Sequence, residues 1–361
     1  MKTDKTKKKI ILTGGGTAGH VTPNMALLPK LRDDGWEILY IGSKTGIEKD
    51  ICEKNGVDYV GISSGKLRRY IDPKNLSDPF RVIKGYAEAS SVIRKFRPDV
   101  VFSKGGFVAV PVVAAAAAHG VPVISHESDM TPGLANRLAA PFSKKICCNF
   151  PETAELLPKG KGVVSGSPIR AALLSGNREE GLRLAGFDGK KPVILVIGGS
   201  LGAQCINACI RSILDRLLEV YDIIHICGKG NLAEDLSDRK GYRQYTFVND
   251  ELPHLFAATD LFVSRAGANA ICEILAMQKP NLLIPLSLAA SRGDQILNAR
   301  SFEKQGFSRV LMEEEMTEET LLQSINGLFA DRETYVEAMK RSQMNDGVKV
   351  ITGLIGEISG K

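Results

Sequence analysis

The stretch Lys9-Ile10-Ile11-Leu12-Thr13-Gly14-Gly15-Gly16-Thr17-Ala18-Gly19-His20 decides the fold. A short β-branched run ends in glycines, and a helix-like apolar spacing resumes from Val21. A strand that ends in glycines and opens a helix leaves backbone N–H groups unpaired where the helix's partial positive charge collects. Phosphate binds well at such a place. About 185 residues later the pattern returns as Val193-Ile194-Leu195-Val196-Ile197-Gly198-Gly199-Ser200-Leu201-Gly202-Ala203. Two such turns imply two nucleotide-type α/β domains, with chemistry in the cleft between them.

On either side of these turns, β-branched runs alternate with longer amphipathic ones. Strands are predicted at 9–13, 37–41, 99–102, 121–125, 145–149 and 162–165, with helices at 21–34, 45–55, 78–96, 108–119 and 131–140. The second half repeats the scheme, with strands at 192–197, 222–227, 243–247, 260–264, 281–285 and 308–311. Its helices are predicted at 203–219, 231–237, 252–258, 268–277, 293–305 and 317–329. Such alternation implies parallel sheets wound by right-handed crossovers, with ligands beyond the carboxyl ends of the strands. The domain boundary is expected near Ser165-Gly166-Ser167-Pro168, or in the polar stretch from Ser175 to Lys191. The division adopted is 1–166 and 167–338, followed by a terminal helix in 339–361.

The 361 residues suffice for two cores, and a composition of 43% hydrophobic and 24% charged residues is that of a soluble globular chain. Residues 1–150 hold 23 Lys and Arg against 14 Asp and Glu, whereas residues 151–361 hold 24 against 27. A basic first half suits nucleic acid, anionic lipid or a phosphorylated substrate, or is simply a solvated surface. The seven cysteines include no C-x-x-C pair, which fits a reducing compartment and argues against structural zinc. The basic start is followed by only Ile10 to Leu12 before Thr13 and the glycines, so no signal peptide is expected. The longest apolar stretch, Phe107 to Ala118, is too short to span a bilayer and contains Pro111. Any membrane contact is expected from the surface.

Gly14-x-Gly16-x-x-Gly19 matches a dinucleotide fingerprint, but the second strand ends in Gly42-Ser43-Lys44 rather than an acidic residue, which counts against NAD. His20 stands at the first turn of the following helix. It is either a helix-start residue bonded to nearby backbone or a general base kept neutral by the helix N-terminus. Ser103-Lys104-Gly105-Gly106-Phe107 ends another strand, as a tight turn or as a second wall of a phosphate pocket. His126-Glu127-Ser128-Asp129 clusters polar groups at a strand's carboxyl end, which favours a site over packing. In the second half, Ser264-Arg265-Ala266-Gly267-Ala268-Asn269 opens the helix carrying Glu273, whose carboxylate suits ribose hydroxyls or dipole compensation. Gln295 and Asn298 begin the next helix, as readers of sugar hydroxyls or as caps. No D-x-D and no His pair with ligand spacing occurs, so a departing diphosphate would rely on helix N-termini and cations such as Arg170.

Taken in order, these motifs together with Gly166-Ser167-Pro168-Ile169-Arg170 resemble one family over nearly the whole chain. It is the N-acetylglucosamine transferases of peptidoglycan synthesis, the MurG family. The resemblance implies a GT-B fold, two Rossmann-like domains with parallel sheets facing across a deep cleft, with a C-terminal helix crossing back to the first. It implies inverting, metal-independent transfer of N-acetylglucosamine (GlcNAc) from UDP-GlcNAc to the C4 hydroxyl of the muramoyl sugar on undecaprenyl diphosphate, converting lipid I to lipid II. It implies no cofactor, no nucleic-acid partner, and a peripheral location on the cytoplasmic face of the membrane.

Carried over, Arg170, Ser200 and the Gly199–Ala203 turn hold the UDP diphosphate, and Ala268, Asn269 and Ala270 cradle its α-phosphate. Val248 offers its backbone to uracil, Glu273 binds ribose and Gln295 reads the sugar. Thr17, Ala18, Gly19 and Asp129 complete the donor side from the first domain. His20 is the expected base, and Gly16, Gly105, Gly106, His126 and Glu127 are expected to meet the acceptor. Three positions depart from the family pattern: Asp129 replaces a common Asn, Ala18 replaces a glycine, and Leu201 replaces Gln. Lys66, Arg68, Arg69, Arg81, Lys84, Arg94, Lys95 and Arg97 flank Tyr70, Ile71, Leu76, Phe80 and Ile83. This basic, amphipathic run suits an anionic membrane surface, unless Leu76, Phe80 and Ile83 face the core. The competing readings are transfer to another lipid acceptor such as diacylglycerol, a UDP-sugar epimerase, and a sugar-nucleotide-binding module without turnover.

Overall fold

The computed structural model describes residues 7–65, 78–199, 202–342, Met344 and 346–360. The chain divides into two compact units, Met1–Arg170 with Asp346–Lys361, and Ala171–Asn345.

The first unit runs β1 (Lys8–Thr13), α1 (Thr22–Asp33), β2 (Trp36–Ser43), α2 (Glu48–Lys54), β3 (Asp58–Ile62), α3 (Asp78–Phe96) and β4 (Val100–Ser103). It continues with α4 (Ala109–Ala118), β5 (Val123–Glu127), α5 (Leu134–Ala139), β6 (Lys145–Cys148), α6 (Pro151–Leu156) and β7 (Gly162–Val164). All seven strands are parallel, in the order β3-β2-β1-β4-β5-β6-β7. The strand runs are apolar on both sides because helices cover both faces. Ile10, Leu12, Tyr40 and Phe102 pack with Leu27, Leu28 and Leu31 of α1. Ile11, Ile41 and Val101 pack with Ala89 and Ile93 of α3 and Val112 and Val113 of α4.

The second unit opens with α7 (Ala171–Leu174) and α8 (Arg178–Ala185), then β8 (Val193–Ile197), α9 (Gln204–Ser212), α10 (Leu214–Val220), β9 (Asp222–Ile226) and β10 (Tyr242–Tyr245). It ends with α11 (Leu252–Ala258), β11 (Leu261–Ser264), α12 (Ala268–Ala276), β12 (Asn281–Leu283), α13 (Asp294–Lys304), β13 (Arg309–Val310), α14 (Glu318–Ala330) and α15 (Arg332–Lys340). Its strands are parallel in the order β10-β9-β8-β11-β12-β13. The last helix, α16 (Gly347–Ser359), belongs to the first unit, where Ile351 and Ile355 join the α1-side core. Burying two such side chains contributes on the order of 1.5–3 kcal/mol each. A Cβ on Gly347 would stand 2.4 Å from the Ser167 carbonyl, so only glycine admits this approach.

Both sheets are Rossmann-like and reverse their strand order at one place, between β1 and β4 and between β8 and β11. The four glycine-bearing turns follow those four strands, at the crevice where ligands of open α/β sheets bind.

Several elements differ from expectation. β3 is an edge strand with Gly61 inside it, which breaks the β-branched signature. α6 begins at Pro151 and is too short to show a period. The polar stretch 175–191 contains α8, whose N-terminus is capped by the Asn177 side chain accepting from the Glu180 N–H, and whose end is the left-handed Gly186. The predicted helix 203–219 breaks at Ile213 into α9 and α10. Of the predicted 231–237, only a 3-10 turn at Glu234–Leu236 forms.

Candidate active site

In the first unit the turn after β1 folds tightly back. A Cβ on Gly14 would lie 2.6 Å from the His20 carbonyl, and one on Gly106 would lie 2.3 Å from the Gly15 carbonyl. The two glycine turns of the switch point therefore touch backbone to backbone. Gly105 and Gly106 have φ of 93° and 85°, where a side chain is strained. Gly16, Thr17 and Ala18 are exposed, and Thr17 caps the 3-10 turn Ala18–His20 with its carbonyl accepting the His20 N–H at 3.1 Å. Gly19 is half-buried.

His20 lies at the end of that turn, before α1. Its Nδ1 is 3.2 Å from the Lys104 carbonyl oxygen, which can only accept. Nδ1 therefore carries the proton, and the lone pair of the neutral ring sits on Nε2. Burial pushes the imidazole's pKa down, and the Lys104 ammonium pushes it further; the bond to the Lys104 carbonyl and the Asp129 carboxylate oppose this. Burial and Lys104 thus act in the same direction as the helix N-terminus expected from sequence.

Lys104 was not singled out by the sequence, and it organises this region. It is 1% exposed, and its Nζ donates to His126 Nδ1 at 2.7 Å and to Ser128 Oγ at 2.5 Å. With Nδ1 accepting, His126 donates from Nε2 to the Gly166 carbonyl at 3.0 Å. Desolvation first, and Lys104 second, hold this imidazole well below its ordinary pKa. His126 is fully buried with both nitrogens engaged, which makes it a brace of these turns in the structure described. Glu127 braces the neighbouring turn in the same way. Its Oε1 accepts from the Asp129 N–H at 3.0 Å, and its Oε2 accepts from the Gly133 N–H at 2.9 Å and Asn136 Nδ2 at 2.8 Å. It shapes the turn that presents Asp129, and burial raises its carboxyl pKa despite these donors.

In the second unit, a Cβ on Gly202 (φ 77°) would lie 1.9 Å from the Cys227 carbonyl, and Gly199 has φ 92°. This turn leads through Ala203 into α9, and no side chain among the described residues caps α9. Ser200 and Leu201 lie outside the described residues. Gly267 likewise starts α12 without a side-chain cap. Glu273, half-buried, stands three and four residues after Ala270 and Asn269 and shares their face of the helix. Ala268 is buried at that helix start. Gln295 spends its Oε1 on the Leu286 N–H at 3.1 Å, and its –NH2 carries two donors. Of the two readings of Asn298, the structure favours the structural one, the side chain being fully buried and donating to the Ala266 carbonyl at 3.2 Å. Val248 is buried after β10, which suits a backbone contact. Arg170 is exposed at the end of the first unit.

Sequence reasoning also passed over Arg265, 8% exposed at the end of β11. Its guanidinium donates to the Ile284 and Pro285 carbonyls at 3.1 and 3.3 Å and to Cys205 Sγ at 3.2 Å, and pairs with Glu313. It ties the ends of β11 and β12 to the start of α9. The only signal for it was a cation directly after an apolar strand, and the same signal marks Lys104.

The described surface of the first unit is amphipathic. Phe80 is 73% and Ile83 66% exposed on α3, beside Arg81 and Lys84, so these two do not face the core. Lys66, Arg68, Arg69, Tyr70, Ile71 and Leu76 lie outside the described residues. Leu134, Leu138, Phe142 and Leu156 are also exposed, with Arg137, Lys144 and Lys159 nearby in sequence. No helix of the described residues is long and apolar enough to cross a membrane.

The glycosyltransferase family 28 N-terminal domain matches residues 10–148, and the family's C-terminal domain matches residues 193–351. The chain is 58% identical over 351 residues to the UDP-N-acetylglucosamine–N-acetylmuramyl-(pentapeptide) pyrophosphoryl-undecaprenol N-acetylglucosamine transferase of Lachnoclostridium phytofermentans, covering 97% of this chain and 99% of that one. The enzyme of the same name from Clostridium tetani is 56% identical, with 97% and 98% covered. The crystal structure of MurG from Acinetobacter baumannii matches with a TM-score of 0.76 at 27% identity, over 97% of this chain and 99% of that one.

Proposed function

The chain belongs to glycosyltransferase family 28 and, within it, to the MurG enzymes, and from that premise we propose how its residues divide the reaction. It transfers GlcNAc from UDP-GlcNAc to the muramoyl sugar of lipid I, giving lipid II of peptidoglycan synthesis. The reaction is a single displacement at C1 of GlcNAc. The acceptor C4 oxygen forms the new bond, the C1–O bond to the β-phosphate breaks, and the anomeric configuration inverts. His20 Nε2 takes the hydroxyl proton, and UDP departs with the C1–O electron pair, which gives its β-phosphate a second negative charge.

That charge is met by N–H groups at the starts of α9 and α12, by Arg170, and by Ser200 in the family's role, without a divalent ion. Ala268, Asn269 and Ala270 take the α-phosphate, the Val248 backbone takes uracil, Glu273 takes the ribose hydroxyls, and the Gln295 amide takes the sugar. Gly16, Thr17, Ala18, Gly19, Gly105 and Gly106 form the first unit's wall, and His126 and Glu127 hold it in shape. The exposed apolar and basic groups around Phe80 and Ile83 dock the enzyme on the anionic cytoplasmic leaflet that carries its acceptor.

The observation that carries the assignment of the base is the 3.2 Å bond from His20 Nδ1 to the Lys104 carbonyl, which leaves Nε2 free to accept. The test is incubation of the pure protein with labelled UDP-GlcNAc and a lipid I analogue, with and without chelator. Disaccharide product in both arms is expected. Product only with free divalent ion would overturn the metal-free account, and UDP-GlcNAc consumed without acceptor would point to epimerisation.

A further inference from the structure

We propose that the first unit carries a cavity for the lipid end of the acceptor, which takes about two isoprene units of a prenyl diphosphate with Arg137 at the diphosphate. This rests on the reading of the chain as a transferase to a polyprenyl-diphosphate-linked sugar. A cavity of about 340 Å³ opens between α5, β6 and the end of α6. Ala140, Ile146, Leu156, Leu157 and Pro158 give it apolar walls. Glu127 and Asn136 also line it, and Arg137 is the one cation among its described lining residues. At about 30 Å³ for each water-sized group the space admits roughly ten carbons, the size of two isoprene units. Arg137 is exposed, and among the described residues its side chain makes no hydrogen bond or ion pair, so its planar fork is open to a bidentate phosphate contact. Apolar walls with one unspent guanidinium fit an amphiphile whose head is an anion.

Two placements tie the cavity to the acceptor. The first is its continuity with the base. The Lys104 carbonyl holds His20 Nδ1 at 3.2 Å, and the next residue, Gly105, packs so closely that a Cβ there would stand 2.9 Å from Asn136 Oδ1. Asn136 in turn donates to Glu127 Oε2 at 2.8 Å, and both side chains line the cavity. The wall that carries His20 therefore continues into the wall of the cavity. A muramoyl sugar presents its C4 hydroxyl and its C1 diphosphate at opposite ends of the ring, so such an acceptor needs a foothold beyond the base. The second placement is the face on which the cavity lies. α3, α4 and α5 lie side by side on one face of the sheet. Among the described residues of the first unit, every exposed large apolar side chain except Ile47 belongs to α3, α5, the 3-10 turn Ala140–Phe142 or α6. Leu134, Leu138 and Phe142 stand on the helix and turn that supply Asn136, Arg137 and Ala140 to the cavity. A chain too long for the cavity therefore continues over apolar surface.

The experiment measures binding to the full chain by calorimetry, with UDP saturating and no membrane present. The probes are inorganic diphosphate and the dimethylallyl, geranyl and farnesyl diphosphates, which carry one, two and three isoprene units. Geranyl diphosphate should bind roughly 10- to 100-fold tighter than dimethylallyl diphosphate, the effect of about half the full burial of five carbons, and farnesyl diphosphate should lie within about threefold of geranyl. Ala140→Leu, which fills the space, should remove most of the gain from the second unit, and Leu156→Ser, at an exposed wall position, should cut it at least about threefold. Arg137→Gln should weaken every probe by about three- to tenfold and leave the gain per isoprene unit unchanged. Equal affinity for one and two units overturns the proposal, and so does a gain that survives both wall variants. Should Ala140→Leu melt early, Leu156→Ser alone decides. Dihexanoylphosphatidylglycerol binding as tightly as geranyl diphosphate overturns the assignment to the acceptor's chain in favour of bulk lipid. Prenyl binding of the expected pattern without any transfer of GlcNAc to a lipid I analogue refutes the transferase reading and leaves the cavity standing, whereas normal transfer with binding blind to chain length refutes the cavity alone.

Discussion

Replacing Phe80 and Ile83 together by serine should release the enzyme from anionic membranes without unfolding it. The two side chains are 73% and 66% exposed, so roughly two thirds of their apolar area remains to be buried. Full burial of such a side chain is worth about 1.5–3 kcal/mol. The unburied share is then about 1–2 kcal/mol each, and about 2–4 kcal/mol for the pair. Side chains that enter only the headgroup boundary realise about half of that, which is about 5- to 30-fold in partition at 1.4 kcal/mol per decade. Folding stability should change little, because the side chains of α3 that pack on the core, Ala89, Val92, Ile93 and Phe96, remain. The assay is co-sedimentation with vesicles of mixed neutral and anionic lipid, at low and at physiological salt, with thermal melting of the same samples. Arg81→Gln with Lys84→Gln provides the electrostatic arm. It should cost about 1 kcal/mol per charge, and that loss should shrink as salt rises, whereas the Phe80/Ile83 loss should not. Unchanged sedimentation of the double serine variant, with an unchanged melting temperature, would refute α3 as a docking face.

His20→Ala should lower kcat by about 10²–10⁴ while UDP affinity, measured by calorimetry, stays within twofold; an unchanged kcat removes His20 from the chemistry. Glu273→Ala should raise the donor KM by about 10- to 100-fold, the worth of a charge-assisted hydrogen bond at about 1.5–3 kcal/mol, and unaltered donor affinity would refute the ribose role. Acid should destabilise the second unit through His225. This fully buried ring is hydrogen-bonded to Tyr242 Oη at 2.8 Å and Asn207 Oδ1 at 2.9 Å, and burial, then Arg211, lower its pKa to about 3. Its folded pKa lies below the unfolded value, so its contribution is present above about pH 6.5 and is lost as pH falls toward 3, at up to about 1.4 kcal/mol per pH unit. Urea denaturation between pH 7 and 4 should show that slope reduced in His225→Asn, and an equal slope in both proteins would refute it.

The central strands were legible because β1, β4, β8 and β11 are covered on both faces, which forces near-continuous apolar runs ending in glycines. β3 was not, since an edge strand needs less apolar sequence and Gly61 interrupts what it has. α8 was hidden because its polar surface resembles a linker and its capping by Asn177 is a local signal easily taken for a loop. The site divides along the same line. His20, Glu273 and Gln295 could be named because each stands next to a turn visible in sequence. Lys104 could not, because its partners lie 22, 24 and 84 residues away. His126 and Asn298 were ambiguous for a related reason. A polar residue at a strand's carboxyl end serves a ligand or a neighbouring turn equally well, and only the fold reveals that Gly166 and Ala266 supply their acceptors.

Two sheets of one topology carry glycine turns at the same place, yet their surroundings differ in a way that bears on where a diphosphate can sit. In the first unit Glu48 is fully buried against the turn after β1. Its Oε1 accepts from the Ser43 N–H at 2.8 Å and from Ser43 Oγ, while its Oε2 lies 3.5 Å from the Gly16 nitrogen. A Cβ at Gly15 would stand 2.6 Å from that carboxylate, and one at Gly46 2.1 Å from it. These glycines therefore make room for a carboxyl group belonging to the protein itself, and a diphosphate at the same amides would meet it at close range. Around the second unit's turn the picture is different. A Cβ at Gly198 or Gly202 would meet backbone, Ala203 and the Asn231 amide, and one at Gly199 would meet nothing within 4 Å. The start of α12 brings no acidic residue in its first turn either. Equal glycine patterns thus have unequal surroundings for negative charge, which supports the proposed donor side on the second unit's turn. On the proposed division of the reaction the first unit's turn serves a neutral hydroxyl, a distinction that a count of glycine motifs alone does not make.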